Sequence, residues 1–389
     1  MTLPLAGRMA RLGTETAFEV LARAKALEAQ GRSIIHLEIG EPDFDTPANI
    51  VEAGCRALRE GQTHYGPAQG LPELRAAIAE EVSRTRGIPV DPAEVLVCPG
   101  AKPVMFYLLL AMAEEGVEVI YPNPGFPIYE SMIAFSGARP VPVPLVEERG
   151  FAFTGETIRS LVTERTRLVI LNSPSNPTGG LLGRDVLEEI AEVAREKDLW
   201  VLSDEIYSRV LYEGRHESIA SLPGMKERTV ILDGFSKIFS MTGWRLGYAV
   251  GPTDIIEHMT RLQVNSASCT ATFTQIAGIE ALRGPQEDPA RMVETFRERR
   301  DAVVAGLNDL PGVSCRTPLG AFYVFPNIRG TGLTSQELAD GLLNEAGVAV
   351  LPGTSFGAHG EGYLRLSYAN SIENIREALE RIGRYLRSR

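Results

Sequence analysis

The chain has 389 residues, 44% of them hydrophobic, and a formal net charge of −11. That length and apolar content support a large buried core in about two to three domains and exclude a disordered chain. The acidity, with no basic run or aromatic–basic platform, excludes nucleic acid as the main partner.

In chain order, Thr16-Ala17-Phe18-Glu19 fits a capping box that opens a helix with Ala17, Val20, Leu21, Ala24 and Leu27 on one face. Gly31 is its expected C-cap. Residues 33–39 form a short strand candidate leading into the turn-rich Gly40-Glu41-Pro42-Asp43-Phe44. A helix over 50–61 precedes His64-Tyr65-Gly66-Pro67, and another begins after Gly70. From residue 94 the apolar runs 94–98, 117–121, 167–171, 199–203, 229–232 and 246–250 read as strands, with 140–145 a proline-broken edge candidate. Helical patterns over 104–114 and 185–197 alternate with them. Such alternation predicts an α/β fold, a mainly parallel seven-stranded sheet sandwiched by helices. After about residue 281 the rhythm changes to charged helices over 289–310 and 335–345, with strands near 322–325 and 363–367. The expected division is a large domain over 47–280 and a smaller α+β domain made of 1–46 together with 281–389.

No apolar run reaches membrane-spanning length, and Arg8 and Arg11 precede no uninterrupted apolar stretch of the signal-peptide kind, so no membrane contact is expected. Cys55, Cys98, Cys269 and Cys315 are widely spaced and read as free thiols of a reducing compartment, which makes the cytoplasm the expected location. His36, His64, His216, His258 and His359 are scattered, so no metal site is assigned.

In open α/β sheets ligands sit beyond the carboxyl ends of the strands. The groups there are Gly100-Ala101-Lys102, Asn123-Pro124-Gly125-Phe126, Asn172 to Gly180, Asp204-Glu205-Ile206-Tyr207 and Ser236-Lys237. Only five lysines exist, and of Lys25, Lys102, Lys197, Lys226 and Lys237 only Lys237 follows a strand inside an apolar, glycine-bearing segment. Arg245 follows between Gly243 and Gly247, which let backbone approach a ligand closely. Gly100-Ala101-Lys102 opens a helix whose free N–H groups can hold a phosphate, or it is an ordinary strand-to-helix turn. No glycine fingerprint of a nucleotide fold is present. Asp204 ends a buried strand, as the N-cap of a following helix or as the partner of a buried cation. A lysine for a Schiff base, a phosphate clamp, an acid for a pyridinium nitrogen and an aromatic to cover the ring are together what pyridoxal phosphate requires.

With these residues in hand, the sequence resembles the fold-type I pyridoxal-phosphate aminotransferases of class I/II, most closely the prokaryotic aspartate-aminotransferase-like subgroup. The likeness runs from Gly40-Glu41-Pro42-Asp43-Phe44 to Tyr363-Leu364-Arg365-Leu366-Ser367-Tyr368. Its most specific pieces are Asn172-Ser173-Pro174-Ser175-Asn176-Pro177-Thr178-Gly179, Ser203-Asp204-Glu205-Ile206-Tyr207, and Ser236-Lys237 with Gly243-Trp244-Arg245. The resemblance implies that Lys237 carries the cofactor and shuttles the substrate proton, and that Asp204 pairs with the pyridine nitrogen. Asn176 and Tyr207 would bond the phenolic oxygen, and Phe126 would stack on the ring. Gly100, Ala101, Lys102, Ser236 and Arg245 would hold the phosphate, with Tyr65 reaching it from the second subunit of a homodimer. Arg365 would grip the substrate carboxylate, with Gly40, Asn176 and Phe126 beside it. Two departures stand out: Gly234 occupies a position where many relatives carry serine, and Phe126 cannot hydrogen-bond as an indole would. The implied reaction is a ping-pong transfer of the amino group from an L-amino acid, aspartate or a similar small donor, to a 2-oxo acid such as 2-oxoglutarate. A C–S β-lyase on the same scaffold is the alternative, and a non-catalytic cofactor-binding regulator a more distant one.

Overall fold

Seven strands form the central sheet: β1 Val95–Cys98, β2 Glu118–Asn123, β3 Arg139–Pro144, β4 Thr166–Asn172, β5 Trp200–Asp204, β6 Thr229–Gly234 and β7 Gly247–Val250. The structure, a computed structural model, describes residues 5–389. The sheet order is β1-β7-β6-β5-β4-β2-β3. Strands β2 to β6 pair in parallel, and β7 runs antiparallel to β6 and β1. Every residue of β1, β2, β6 and β7 is buried, which is why their sequences read as continuous apolar runs rather than alternating ones. The exception is β3, Arg-Pro-Val-Pro-Val-Pro, whose prolines lack ladder donors and which pairs only with β2 at the sheet edge.

Helices cover both faces. Leu96, Val119, Ile170, Leu202 and Leu232 point to one side and pack on the helices Lys102–Met112, Ile128–Ser136 and Thr253–Val264. Their neighbours Val97, Val169, Val201 and Ile231 point the opposite way, as period-two strands require. That side meets Leu74, Ile78 and Val82 of the helix Pro72–Arg86, and Leu187 and Ile190 of Arg184–Glu196. The core continues from the first of these helices to Phe296 and Val303 of Glu287–Asn308 and Ile375 and Ile382 of Ile372–Arg387. Beyond the main sheet, Tyr323–Val324, Leu364–Ser367 and Leu351–Pro352 form a small antiparallel sheet, and Ile35–His36 pairs in parallel with Val348–Ala349.

Some local expectations are corrected. The helix Thr16–Glu28 has Glu15 at its N-cap and no side-chain cap, and the buried Thr16 hydroxyl lacks a partner. Thr16 sits one residue inside the helix, so its hydroxyl cannot close a capping box; Thr334 and Glu337 do close one at Ser335–Gly341. The strand expected over 33–39 shrinks to two residues. Helices Ile128–Ser136, Gly155–Leu161, Thr253–Val264, Thr272–Arg283 and Ile372–Arg387 complete the fold without having been singled out in the sequence.

A buried charge cluster ties the ends of β5 and β6 to the helix Pro72–Arg86. Arg86 Nε donates to Glu205 at 2.9 Å, and its Nη2 reaches Asp233 at 2.5 Å and the Ser208 hydroxyl at 2.8 Å. Against the opposing effect of burial, His216, whose Nε2 lies 2.9 Å away, and Arg86 hold the Glu205 carboxyl well below the usual range, while burial keeps Asp233 raised. Arg86→Met leaves buried Asp233 without its cation and Glu205 with His216 alone, and is expected to cost about 3–5 kcal/mol in urea unfolding at neutral pH. Asp233, already raised by burial, then binds its proton still more tightly folded than unfolded, so the deficit should shrink below about pH 5. A deficit independent of pH would contradict the electrostatic origin.

Candidate active site

The carboxyl ends of β1, β2, β4, β5 and β6 open on a cavity of about 540 Å³, within the usual range for small-molecule sites. Among the residues singled out in the sequence, Gly40, Ala101, Lys102, Phe126, Asn176, Asp204, Tyr207, Ser236, Lys237, Arg245 and Arg365 line it. Gly100 lies just behind the lining, and Tyr65 lies outside it, 91% exposed on the surface of its own chain.

Strand alternation sets the floor. Asp204 points to the same side as Leu202, and its Oδ2 accepts from the Tyr129 hydroxyl at 2.6 Å while Oδ1 accepts from the Ile206 N–H at 3.2 Å. No regular helix follows it, so it is not an N-cap. It is 7% exposed and has no cationic partner among the described residues. Burial pushes its carboxyl up to about 6, against the pull of the Tyr129 and Ile206 bonds. An unpaired buried carboxylate of this kind needs a positive partner.

Lys237 follows the end of β6, and its Nζ donates to the Gly40 carbonyl at 2.6 Å. Burial, reinforced by the nearby Arg365 charge, lowers its ammonium to about 8. The Nζ lies 5.8 Å from the centre of the Tyr207 ring and 5.6 Å from that of Phe322. Gly234, the departure noted above, has a physical cause. A Cβ there would stand 2.9 Å from Gly247 Cα, its partner on β7, so a side chain would prise the two strands apart.

An anion cradle adjoins the lysine. The helix Lys102–Met112 begins here, so its first N–H groups have no carbonyl one turn back. Arg245 lies against Gly100: a Cβ on Gly100 would come within 2.3 Å of the guanidinium. Likewise a Cβ on Gly247 would come within 2.5 Å of the Ala101 nitrogen. The Lys102 ammonium itself turns away, pairing with Glu15 and sitting 5.5 Å from the centre of the Phe126 ring at the cavity mouth. Phe126 packs edge-on against Tyr129, 5.7 Å between centres, which joins the aromatic wall to the floor.

Opposite the lysine, Arg365 on Leu364–Ser367 is 4% exposed. Its Nη2 donates to the Glu38 carbonyl, its Nε is buried without a partner, and its guanidinium lies 4.6 Å from the centre of the Tyr323 ring. Asn176 is held by its backbone N–H donating to Asn172 Oδ1 at 2.8 Å, while its own Oδ1 is buried and unpartnered. Tyr129, Tyr323 and Phe356 also line the cavity and were missed in the sequence, while Asn172, the first residue of the stretch placed beyond the strand ends, lines it as well. Tyr323 alone carried a signal there, as the polar-tipped aromatic in the apolar run 321–325.

The family model "Aminotransferase class I and II" matches residues 32–382. The chain is 46% identical to an aspartate aminotransferase of Pyrococcus abyssi, over 92% of this chain and 93% of that one. It is 43% identical to an aromatic-amino-acid aminotransferase 2 of Thermococcus litoralis, over 93% and 94%. The solved aspartate aminotransferase of Thermus thermophilus with maleate superposes with a TM-score of 0.94 at 41% identity, over 99% and 100% of the two chains. The donor set agrees with the cofactor of this family: an amine of lowered pKa, a buried acid without a cation, a cradle for an anion, and orphaned polar atoms on Asn176 and Arg365. The chain belongs to the class I and II aminotransferases and is a pyridoxal-phosphate-dependent transaminase.

Proposed function

We propose that Lys237, Asp204 and Tyr207 carry out the transfer, and the observation that bears most weight is the buried Asp204 carboxylate with no cation of its own. When bound, pyridoxal phosphate supplies an aldehyde that takes up the amino group and a ring that withdraws electrons from the substrate carbon. Asp204 stabilises a proton on the ring nitrogen, and Tyr129 fixes the orientation of that carboxylate. Lys237 Nζ, whose ammonium burial makes easier to deprotonate near neutral pH, would accept the proton from the substrate Cα and return it to the former aldehyde carbon, on the far side of the nitrogen. Tyr207 and the Asn176 amide NH₂ would donate to the phenolic oxygen. The Ala101 and Lys102 N–H groups, the Ser236 hydroxyl and Arg245 hold the phosphate, and Gly100 lets the guanidinium come close. Phe126 covers the ring. Arg365 takes the α-carboxylate as a fork, and ordering its orphaned Nε is part of the gain on binding.

The reading extends to a homodimer in the cytoplasm, with residues 47–280 as the cofactor-binding domain and 1–46 with 281–389 as the smaller one. The exposure of Tyr65 on its own chain supports a role for its hydroxyl across an interface at the partner's phosphate. The four unpaired cysteines agree with a reducing compartment. For the substrate, a small acidic donor such as aspartate with 2-oxoglutarate as acceptor fits the Lys102 ammonium at the mouth, which an incoming side-chain carboxylate can take over from Glu15.

Lys237→Ala should retain cofactor without a covalent bond and lose turnover by at least about 10⁴-fold, read by 2-oxo acid formation beside cofactor absorbance. Unaltered turnover would defeat the assignment. In a panel of amino donors against 2-oxoglutarate, aspartate should outrank alanine, and Lys102→Met should raise KM for aspartate about tenfold with a much smaller change for alanine. Equal changes for both donors would remove Lys102 from substrate selection.

A further inference from the structure

Tyr323 touches both halves of the site yet has no part in the roles above. It is 1% exposed, and its hydroxyl lies 2.7 Å from that of Tyr207. Its ring carries the Arg365 guanidinium at 4.6 Å from its centre. Residue 323 faces Ser367 across the small sheet, so the strand that bears Arg365 also fixes the tyrosine. The preceding turn is pinned as well: the Ala321 carbonyl accepts from the hydroxyls of Tyr212 and Tyr368. Gly40 has no room for a side chain because of Tyr323, since a Cβ there would lie 2.2 Å from the hydroxyl oxygen. A buried hydroxyl held this firmly against another hydroxyl has one service to offer it, a hydrogen bond of fixed direction.

We propose that Tyr323 is a positioning residue for the transamination: its hydroxyl donates to the Tyr207 oxygen and makes Tyr207 a stronger, better aimed donor to the phenolic oxygen of the cofactor. This rests on the role given to Tyr207 above. The charged groups around the pair are Arg365, Lys237, Asp204 and Glu15, and none of them is placed to bond the Tyr207 oxygen in place of Tyr323. The direction of the effect follows from charge. A donor at the phenolic oxygen favours the form in which that oxygen is most negative, which is the form with an unprotonated nitrogen on the lysine-bound cofactor. Weakening the donor makes that nitrogen hold its proton to higher pH.

The test is a spectrophotometric titration of the holoenzyme, following the pH midpoint of the visible cofactor band in wild type, Tyr323→Phe, Tyr207→Phe and the double variant. Tyr207→Phe should raise the midpoint, and Tyr323→Phe should raise it by a smaller amount, about half a unit. The double variant should match Tyr207→Phe, because Tyr323 acts only through Tyr207. Tyr323→Phe keeps the ring under Arg365, and an unchanged thermal midpoint checks that it folds normally. A midpoint that moves in Tyr207→Phe but not in Tyr323→Phe overturns the proposal alone, as does an additive double variant. No movement in Tyr207→Phe overturns the role of Tyr207 and this proposal with it.

Discussion

A carboxylate placed at the bottom of a cavity, with only neutral donors around it, is the constraint on which the site depends. Asp204 receives a tyrosine hydroxyl and one backbone N–H, which direct it without neutralising it. Such a group is costly for the folded chain alone, and its cost is relieved by a cation arriving in the cavity. In the role proposed for Asp204, the protonated nitrogen of pyridoxal phosphate would be that cation. Placement of the acid follows from strand geometry: residues 202 and 204 share a side of the sheet, so the apolar contact of Leu202 with the covering helices aims Asp204 into the opening above them.

The opposite side of the same strand ends shows the contrasting solution. Glu205 and Asp233 are equally buried but share Arg86, and His216 Nε2 lies 2.9 Å from Glu205, so both acids have partners inside the protein that tie the ends of β5 and β6 together. Two acids with an internal cation and one without divide structural charge from the charge left for a ligand. Lys237 depends on this frame. Its turn begins where β6 meets β7 through Gly234 and Gly247, a contact too close for any side chain, and burial at that junction lowers the affinity of its amine for a proton.

Much of this was legible in the sequence because the physics there is local. Fully buried strands write themselves as apolar runs, so all seven strands of the sheet could be read, including the proline-marked edge. The scarcity of lysine made Lys237 conspicuous, and the rule that ligands sit beyond strand ends gathered the cavity residues from distant parts of the chain. What could not be read depends on partners far away in sequence. Tyr129 looks like any aromatic on a helix face until Asp204 lies beneath it, and Tyr323 until the Tyr207 hydroxyl meets it. The failed capping box at Thr16 shows a local motif losing by one residue of register. The orientation of Lys102, toward Glu15 rather than into the cradle, likewise depends on the return of a distant segment.

The most direct measurement compares the unfolding stability of wild type and Asp204→Asn at pH 8, each with and without pyridoxal phosphate. Because the folded carboxyl is raised to about 6, its contribution is full at low pH, falls away as pH rises from the unfolded value through 6, and leaves the whole penalty in force at pH 8. The cofactor-free Asp204→Asn protein should therefore be at least as stable as cofactor-free wild type, and the order should reverse once cofactor is bound. An Asp204→Asn protein that is less stable by the same amount in both states would mean that the carboxylate serves the fold and not the cofactor.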